Sequence, residues 1–561
     1  MTKSASPRSG GQILVDQLVI HGVDHAFGVP GESYLEVLDA LHDADIRFVI
    51  CRHEGGASNM ADAYGKLTGK PGICMVTRGP GATHAANGLH TAFQDSTPMI
   101  LFIGQVGRDM IEREAFQEVD YRRMFGQMAK WVAEIEDAAR IPEYVARAFQ
   151  VATSGRPGPV VLALPEDMLR DEVVTADTAP FRAMQAHPGP AAMEELRAML
   201  ARAKKPMVVL GGGTWTPQAV ADIRAFAEAN FLPVATSFRA QDCFDNAHPQ
   251  YAGDVGIGIN PKLAARIRES DLLLVAGARL GEMTTSGYTL IDVPVPAQPL
   301  VHVLPGAEEI GRVYQPALGI NAGMAAFAAA ARAMAPVQGD WKAWTEGAQA
   351  DYRAWTTPGP GIGAVDMAAV VGQVDAAFPA DVIVTNGAGN YATWVHRYHR
   401  YRQYRSILAP TNGAMGYGLP AAIAAKLAAP DREVVCFAGD GCFMMYASEL
   451  ATAAQYDAKI LVIVVNNGMY GTIRMHQERR FPARVSGTDL KNPDFAAYAR
   501  SFGLHGETVT RTEDFAAALD RARAAPTTAL IEIRVDPEAL TIKQSLSQIR
   551  AQAQKELAQE G

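Results

Sequence analysis

The stretch at 439–467 reads GDGCFMMYASELATAAQYDAKILVIVVNN and sets the pattern of the chain's last third. The five residues before it, 434–438 (VVCFA), and residues 460–465 (ILVIVV) are short apolar runs of the kind found in parallel strands buried on both faces. Between them, residues 447–456 (ASELATAAQY) hold good helix formers with no Gly or Pro, which predicts a helix. The segment therefore reads as strand, Gly-Asp-Gly turn, helix, strand. In such a unit the first turn and the end of the next strand open at the same carboxyl edge, where open α/β sheets bind ligands. Asp440 and Asn467 are expected to lie close together.

Working outward, the same alternation fills the chain. Apolar runs stand at 25–29 (HAFGV), 47–51 (RFVIC), 72–76 (GICMV), 99–103 (MILFI) and 160–164 (VVLAL), with helical patterns between them. A polar Pro/Ala-rich stretch, 175–192, then reads as a linker. A second, Gly-punctuated block has runs at 206–213, 232–237, 271–281 and 299–306, and TTPGPGI (356–362) marks another boundary. The third block has runs at 381–387, 405–411 and 529–535 besides 434–438 and 460–465. The expected fold class is α/β: three consecutive α/β domains with mainly parallel sheets, at 1–180, 190–345 and 360–545. A chain of 561 residues exceeds what one core supports, in keeping with that division.

The net charge of −9 carries no basic stripe, so nucleic acid is not an expected partner. The five cysteines form no C-x-x-C pair and are odd in number, which fits a reducing cytoplasm better than a disulfide framework or a zinc site. The first residues, MTKSASPRSG, lack an apolar h-region, and no apolar run nears the ~20 residues that span a bilayer. A soluble cytoplasmic protein, with no membrane partner, is expected.

A carboxylate and a carboxamide oxygen at the mouth of a sheet are hard ligands suited to Mg2+ shared with phosphate. The glycines flanking Asp440 let the N–H groups of Gly441, Cys442 and Phe443 face an anion. A lone Gly-Asp-Gly is more often a tight turn alone; here 24 residues, 442–465, separate it from an Asn pair. That spacing resembles the signature of thiamine-diphosphate enzymes. The resemblance extends to FGVPGE (27–32), RHEGGASNMADAYGKLTGKPG (52–72), RGPGATHAANGLHTAFQDSTP (78–98) and AFQE (115–118), similar to the pyrimidine-binding domain of acetolactate synthases. NGAMGYGLPAAIAAKLAAP (412–430) and NPDFAAYARSFG (492–503) are similar to their diphosphate-binding domain.

That resemblance implies a set of roles. Asp440, Asn467 and the carbonyl of Met469 would bind Mg2+; Gly439, Gly441, Cys442, Asn390 and Tyr391 would approach the diphosphate. Glu54 would hydrogen-bond the cofactor pyrimidine, the Gly413 carbonyl would accept its amino hydrogen, and Met415 would wedge it into a bent shape. Phe116 and Gln117 match a pair lining the substrate pocket. The activity implied is thiamine-diphosphate-dependent carboligation: a 2-oxo acid is decarboxylated and the remainder added to a second carbonyl. A simple 2-oxo acid decarboxylase or a benzaldehyde-lyase-like C–C bond lyase is the alternative, and a non-catalytic subunit would be free to lose Glu54, Asp440 or Asn467. The chain departs from the family at NNGMYGTIRMHQE (466–478), where His476 replaces a tryptophan and Thr472 a methionine, and at His84, which replaces the usual asparagine. Both histidines are candidates for a substrate contact or proton transfer. Gly-rich turns at 211–213 and 277–281 could meet FAD, but GDVGIG (253–258) differs from the FAD-dependent pattern, so FAD is disfavoured. A homodimer at least, commonly a homotetramer, is implied, with Glu54 of one subunit serving the other's diphosphate site.

Overall fold

The computed structural model describes residues 6–560. It contains three six-stranded sheets whose neighbouring strands are all parallel, so each third of the chain is a parallel-sheet α/β domain. The chain forms two compact units: residues 6–187 with 305–307, and residues 188–304 with 308–560. The first unit holds the first sheet and the second unit the other two.

The strands of the first sheet are His25–Gly28, Arg47–Ile50, Gly72–Val76, Met99–Gln105, Trp131–Glu134 and Pro159–Pro165. Counted in chain order, they lie side by side as 2-1-3-4-6-5. Ile383–Asn386, Ile407–Leu408, Val434–Gly439, Leu461–Asn466, His505–Val509 and Ala529–Arg534 repeat that order in the third sheet. The likeness of these two blocks, a matter of rhythm in the sequence, is one of topology in the structure. The central sheet differs. Its strands Pro206–Leu210, Val234–Ser237, Tyr251–Val255, Leu272–Ala276, Leu300–Leu304 and Leu318–Asn321 run 3-2-1-4-5-6, the doubly wound order of Rossmann folds.

Each apolar run of the sequence coincides with a strand. Four strands of these three sheets had no such run: Trp131–Glu134, Tyr251–Val255, Leu318–Asn321 and His505–Val509. All four are sheet edges. An interior strand is covered on both faces and reads as continuous apolar sequence, whereas an edge strand is half wet and keeps polar residues. His505–Val509, for instance, buries only Val509. Alternation within the central sheet shows the two-sided burial directly: Val208 and Leu210 join one core, Met207 and Val209 the other.

The expected turn and helix after strand Val434–Gly439 take another form. Gly439 ends the strand and caps a five-residue helix, Asp440–Met444, so no separate turn intervenes. The expected helix at 447–456 is a 3-10 turn, Ala447–Glu449, followed by helix Leu450–Gln455. The expected linker begins tied down: Gln17 donates to Asp177 at 2.8 Å and Arg8 to the same carboxylate at 2.8 Å. Helix Lys342–Trp355 runs past residue 345 and supplies Tyr352 to the central core.

Among the described residues no helix is long and apolar enough to cross a membrane. All five cysteines are buried free thiols.

Candidate functional site

In the third sheet the strand order reverses between Ile383–Asn386 and Val434–Gly439, which are paired directly. Such a switch point parts the two following loops and leaves a crevice beyond the carboxyl ends. A cavity of about 250 Å3 lies there. Ten of the eleven residues that the sequence assigned to cofactor or metal in this domain line it: Asn390 and Tyr391 after the first strand, Gly413 and Met415 after the second, Gly439, Asp440, Gly441 and Cys442 at the end of the third, and Asn467 and Met469 after the fourth; Phe443 does not.

Asp440 is buried, and its Oδ2 accepts from the Gly468 N–H at 2.9 Å and from Asn492 Nδ2 at 2.7 Å. Because Gly468 follows Asn467 directly, the expected approach of Asp440 to the Asn pair holds. Asn467 Oδ1 accepts from the Met469 N–H at 3.1 Å, which turns the chain back over the strand end. Burial pushes the Asp440 carboxyl above its usual range, opposed by N–H groups of Gly441, Asn492 and Gly468. These partners are neutral donors, and a buried carboxylate held by neutral groups suits a cation. One carboxylate with amide oxygens is a donor set that could hold a hard divalent cation.

The glycines around Asp440 are required by close approach. A Cβ on Gly441 would stand 2.6 Å from the Tyr470 ring, and one on Gly387 2.5 Å from Cys442 Sγ. Cys442 Sγ in turn accepts from the Gly416 N–H at 3.2 Å and meets Tyr391 Oη at 3.4 Å, so the walls carrying Met415, Tyr391 and Asp440 are stitched together. Met415 is half-buried and packs on the domain core. Narrow, Gly-lined and bearing a buried anion, the cavity fits a diphosphate with its metal.

Three contributors were not assigned from sequence. Asn492 bridges Asp440 and Asn466, donating to both. Thr472 donates to Asn390 Oδ1 at 2.9 Å, and Asn390 Nδ2 donates to the Leu540 carbonyl at 2.9 Å. Asn492 stands in the matched stretch NPDF, the one signal that could have found it; nothing in the sequence around Leu540 points to the cavity.

In the first unit Glu54 opens helix Glu54–Thr68, capped by His53, whose Nδ1 accepts from the Gly55 N–H at 2.9 Å. Its carboxylate is 14% exposed and lies 2.9 Å, through Oε2, from His84 Nδ1 on helix Gly79–Asp95. The two helices nearly touch: a Cβ on Gly88 would fall 2.4 Å from the Ser58 carbonyl carbon. Glu54 and His84 sit one turn before Ser58 and Gly88, so this crossing sets them face to face. His53 and His84 stack at 4.5 Å, and burial, then His84, holds the His53 imidazole below its usual range.

Gln117 has φ of 67°, a left-handed conformation uncommon for a side-chain residue, and its carbonyl accepts from the Gly79 N–H at 3.0 Å. The loop is braced by Glu118, whose carboxylate takes the N–H groups of Glu112 and Ala115. Phe116 is 72% exposed, with the Arg78 guanidinium 5.9 Å from its ring centre. His476 is exposed on helix Gly471–Arg480 and is not among the residues lining the cavity, unlike Thr472 and Ile473 of the same helix. In the central domain, Gly212 and Gly277 are spent on each other: a Cβ on Gly212 would meet the Gly277 carbonyl at 2.0 Å, and one on Gly277 the Gly211 carbonyl at 2.1 Å.

Fold and site together define an enzyme that works with a diphosphate-bearing cofactor, and comparison with known proteins says which. The N-terminal, central and C-terminal domains of thiamine pyrophosphate enzymes match residues 8–124, 193–331 and 387–533. The chain is 32% identical to the acetolactate synthase isozyme 2 large subunit of Escherichia coli K12, over 94% of this chain and 96% of that protein. It is 34% identical to the acetolactate synthase large subunit of Parasynechococcus marenigrum, covering 94% and 87%, and 30% identical to a probable one of Methanocaldococcus jannaschii, covering 94% and 92%. The chain belongs to the thiamine pyrophosphate enzyme family and is a thiamine-diphosphate-dependent carboligase resembling acetolactate synthase.

Proposed function

We propose that the enzyme decarboxylates one 2-oxo acid and joins the remainder to a second 2-oxo acid, giving a 2-hydroxy-3-oxo acid. The observation that carries this reading is the convergence of Asp440, Asn467 and Met469 with Met415 on one switch-point cavity, in a chain resembling acetolactate synthases throughout. Asp440, Asn467 and the Met469 carbonyl would hold Mg2+, and Asn390, Tyr391 and the N–H groups after Gly439 would hold the diphosphate. Thiamine diphosphate supplies, when bound, a thiazolium carbon that is nucleophilic once deprotonated and accepts the electrons released on loss of CO2.

Glu54 shares a proton through its carboxylate with the pyrimidine ring. Met415 would be the apolar support of the cofactor, and the Gly413 carbonyl would accept its amino hydrogen. Gln117 donates its amide N–H to a substrate carboxylate or carbonyl, and Phe116 supplies an apolar wall. His476 has no assigned role. The active assembly is at least a homodimer, and by the family's habit a homotetramer, in which Glu54 of one subunit serves the partner's cavity. The buried thiols support a cytoplasmic setting. FAD is not part of the proposal.

The test supplies purified protein with thiamine diphosphate, Mg2+ and pyruvate, and follows products by NMR. Acetolactate is expected; acetaldehyde alone would replace ligation with simple decarboxylation. Glu54→Gln is expected to bind cofactor yet slow exchange of the thiazolium C2 proton by orders of magnitude, and unchanged exchange would sink the role given to Glu54.

A further inference from the structure

We infer that His84 is a positioning residue for Glu54: it fixes one carboxylate oxygen so that the other is presented to the cofactor. The inference rests on the role proposed for Glu54. Its basis is the 2.9 Å approach of His84 Nδ1 to Glu54 Oε2, between helices locked together at Gly88 and Ser58. In the proposed arrangement the carboxylate accepts and Nδ1 donates, so the tautomer of His84 reads the contact. Neutral imidazole can protonate either nitrogen, and the partner of one nitrogen decides the tautomer. The ring is braced by its stack on His53, 28° from parallel, and His53 is itself anchored through Nδ1 to the Gly55 N–H.

The other oxygen, Oε1, lies on the side of Gly81, which has no side chain to cover it: even a Cβ built there would stand 3.5 Å away, at ordinary contact distance. The carboxylate is thus gripped through Oε2 and left open through Oε1. A carboxylate that must share a proton with one ring nitrogen loses rate if it rotates freely, because a small misplacement of a reacting group costs large factors. His84 also explains its own departure from the family. Imidazole Nδ1 and an asparagine Nδ2 are both attached to Cγ, so either residue offers an N–H donor at the same reach from the backbone.

The test uses the full-length protein, uniformly labelled with 15N-histidine, in magic-angle-spinning NMR without added cofactor. The His84 signal, assigned by its loss in His84→Asn, is expected to report the Nδ1-protonated tautomer and to revert towards the Nε2-protonated form in Glu54→Leu. A tautomer unaffected by Glu54→Leu would overturn the inference. On the loaded enzyme, His84→Leu is expected to slow C2-proton exchange roughly 10- to 100-fold, the range for losing a hydrogen bond to a charged group, with cofactor binding little changed. His84→Asn should recover most of that loss and His84→Phe, which keeps the stack without the donor, should not. Wild-type exchange in His84→Leu, or full recovery in His84→Phe, would also overturn it. If Glu54→Gln leaves exchange intact, the cofactor role of Glu54 fails instead; if Glu54→Gln abolishes exchange while His84→Leu does not, only the positioning role fails.

Discussion

Glu478→Gln tests how the cavity wall is held. Glu478 lies on helix Gly471–Arg480, its side chain 1% exposed, and receives both arms of Arg550 at 2.6 and 2.9 Å, Arg474 at 3.3 Å and the Ala483 N–H at 2.8 Å. Arg550 belongs to the C-terminal helix, Leu546–Glu560, which also packs Leu546 and Ile549 against Met475, Met469 and Leu540. The Arg550 guanidinium above all holds the Glu478 carboxyl down at about 2, from an ordinary 4.5. At 1.36 kcal/mol per tenfold change in acidity, that corresponds to roughly 3 kcal/mol. Arg550 is 32% exposed, so solvent screening trims the usable part to about 2 kcal/mol.

A loss of about 2 kcal/mol makes local opening of the C-terminal helix roughly 30-fold more frequent. Amide hydrogen exchange read by mass spectrometry over residues 539–560 is the assay, and protection is expected to fall by about that factor in Glu478→Gln. Residues 539–541 are included because Leu540 anchors Asn390 and lines the cavity. The folded-state carboxyl is depressed, so its contribution is complete above pH about 4.5 and is lost as the pH falls towards 2. Protection in the wild type, corrected for intrinsic exchange, should therefore be flat from pH ~5 to ~9. A change below about threefold in the variant would refute the reasoning.

Gly88→Val places a branched side chain against helix backbone that cannot yield, since even a Cβ would sit 2.4 Å from the Ser58 carbonyl carbon. A loss of about 1–3 kcal/mol is expected, lowering the melting temperature of the first unit by several degrees in calorimetry; a shift under one degree would mean the helices have room. Glu54→Gln and Asp440→Ala chains, each inactive, are expected to regain part of the activity when unfolded together, refolded and assayed as mixed assemblies. No recovery despite verified subunit exchange would place both residues' work within one chain.

The interior of each sheet and the floor of the switch-point cavity could be read along the chain. Continuous apolar runs name the central strands because two-sided burial excludes polar residues, and GDG with NN places Asp440 beside the Asn pair because adjacent parallel strands end at one edge. The likeness to thiamine-diphosphate enzymes was legible for the same reason: its residues lie in local stretches of fixed spacing. Four edge strands were hidden, since a half-wet strand such as His505–Val509 carries no distinctive run. Strand order was hidden too, and it is what separates the central 3-2-1-4-5-6 sheet from its two neighbours. Only tertiary structure decided that Leu540, 150 positions away, braces Asn390, and that a helix crossing as close as Gly88 on Ser58 sets His84 against Glu54. Burial leaves a periodic trace along the chain; a contact between distant residues depends on how closely two elements approach, which no local pattern records.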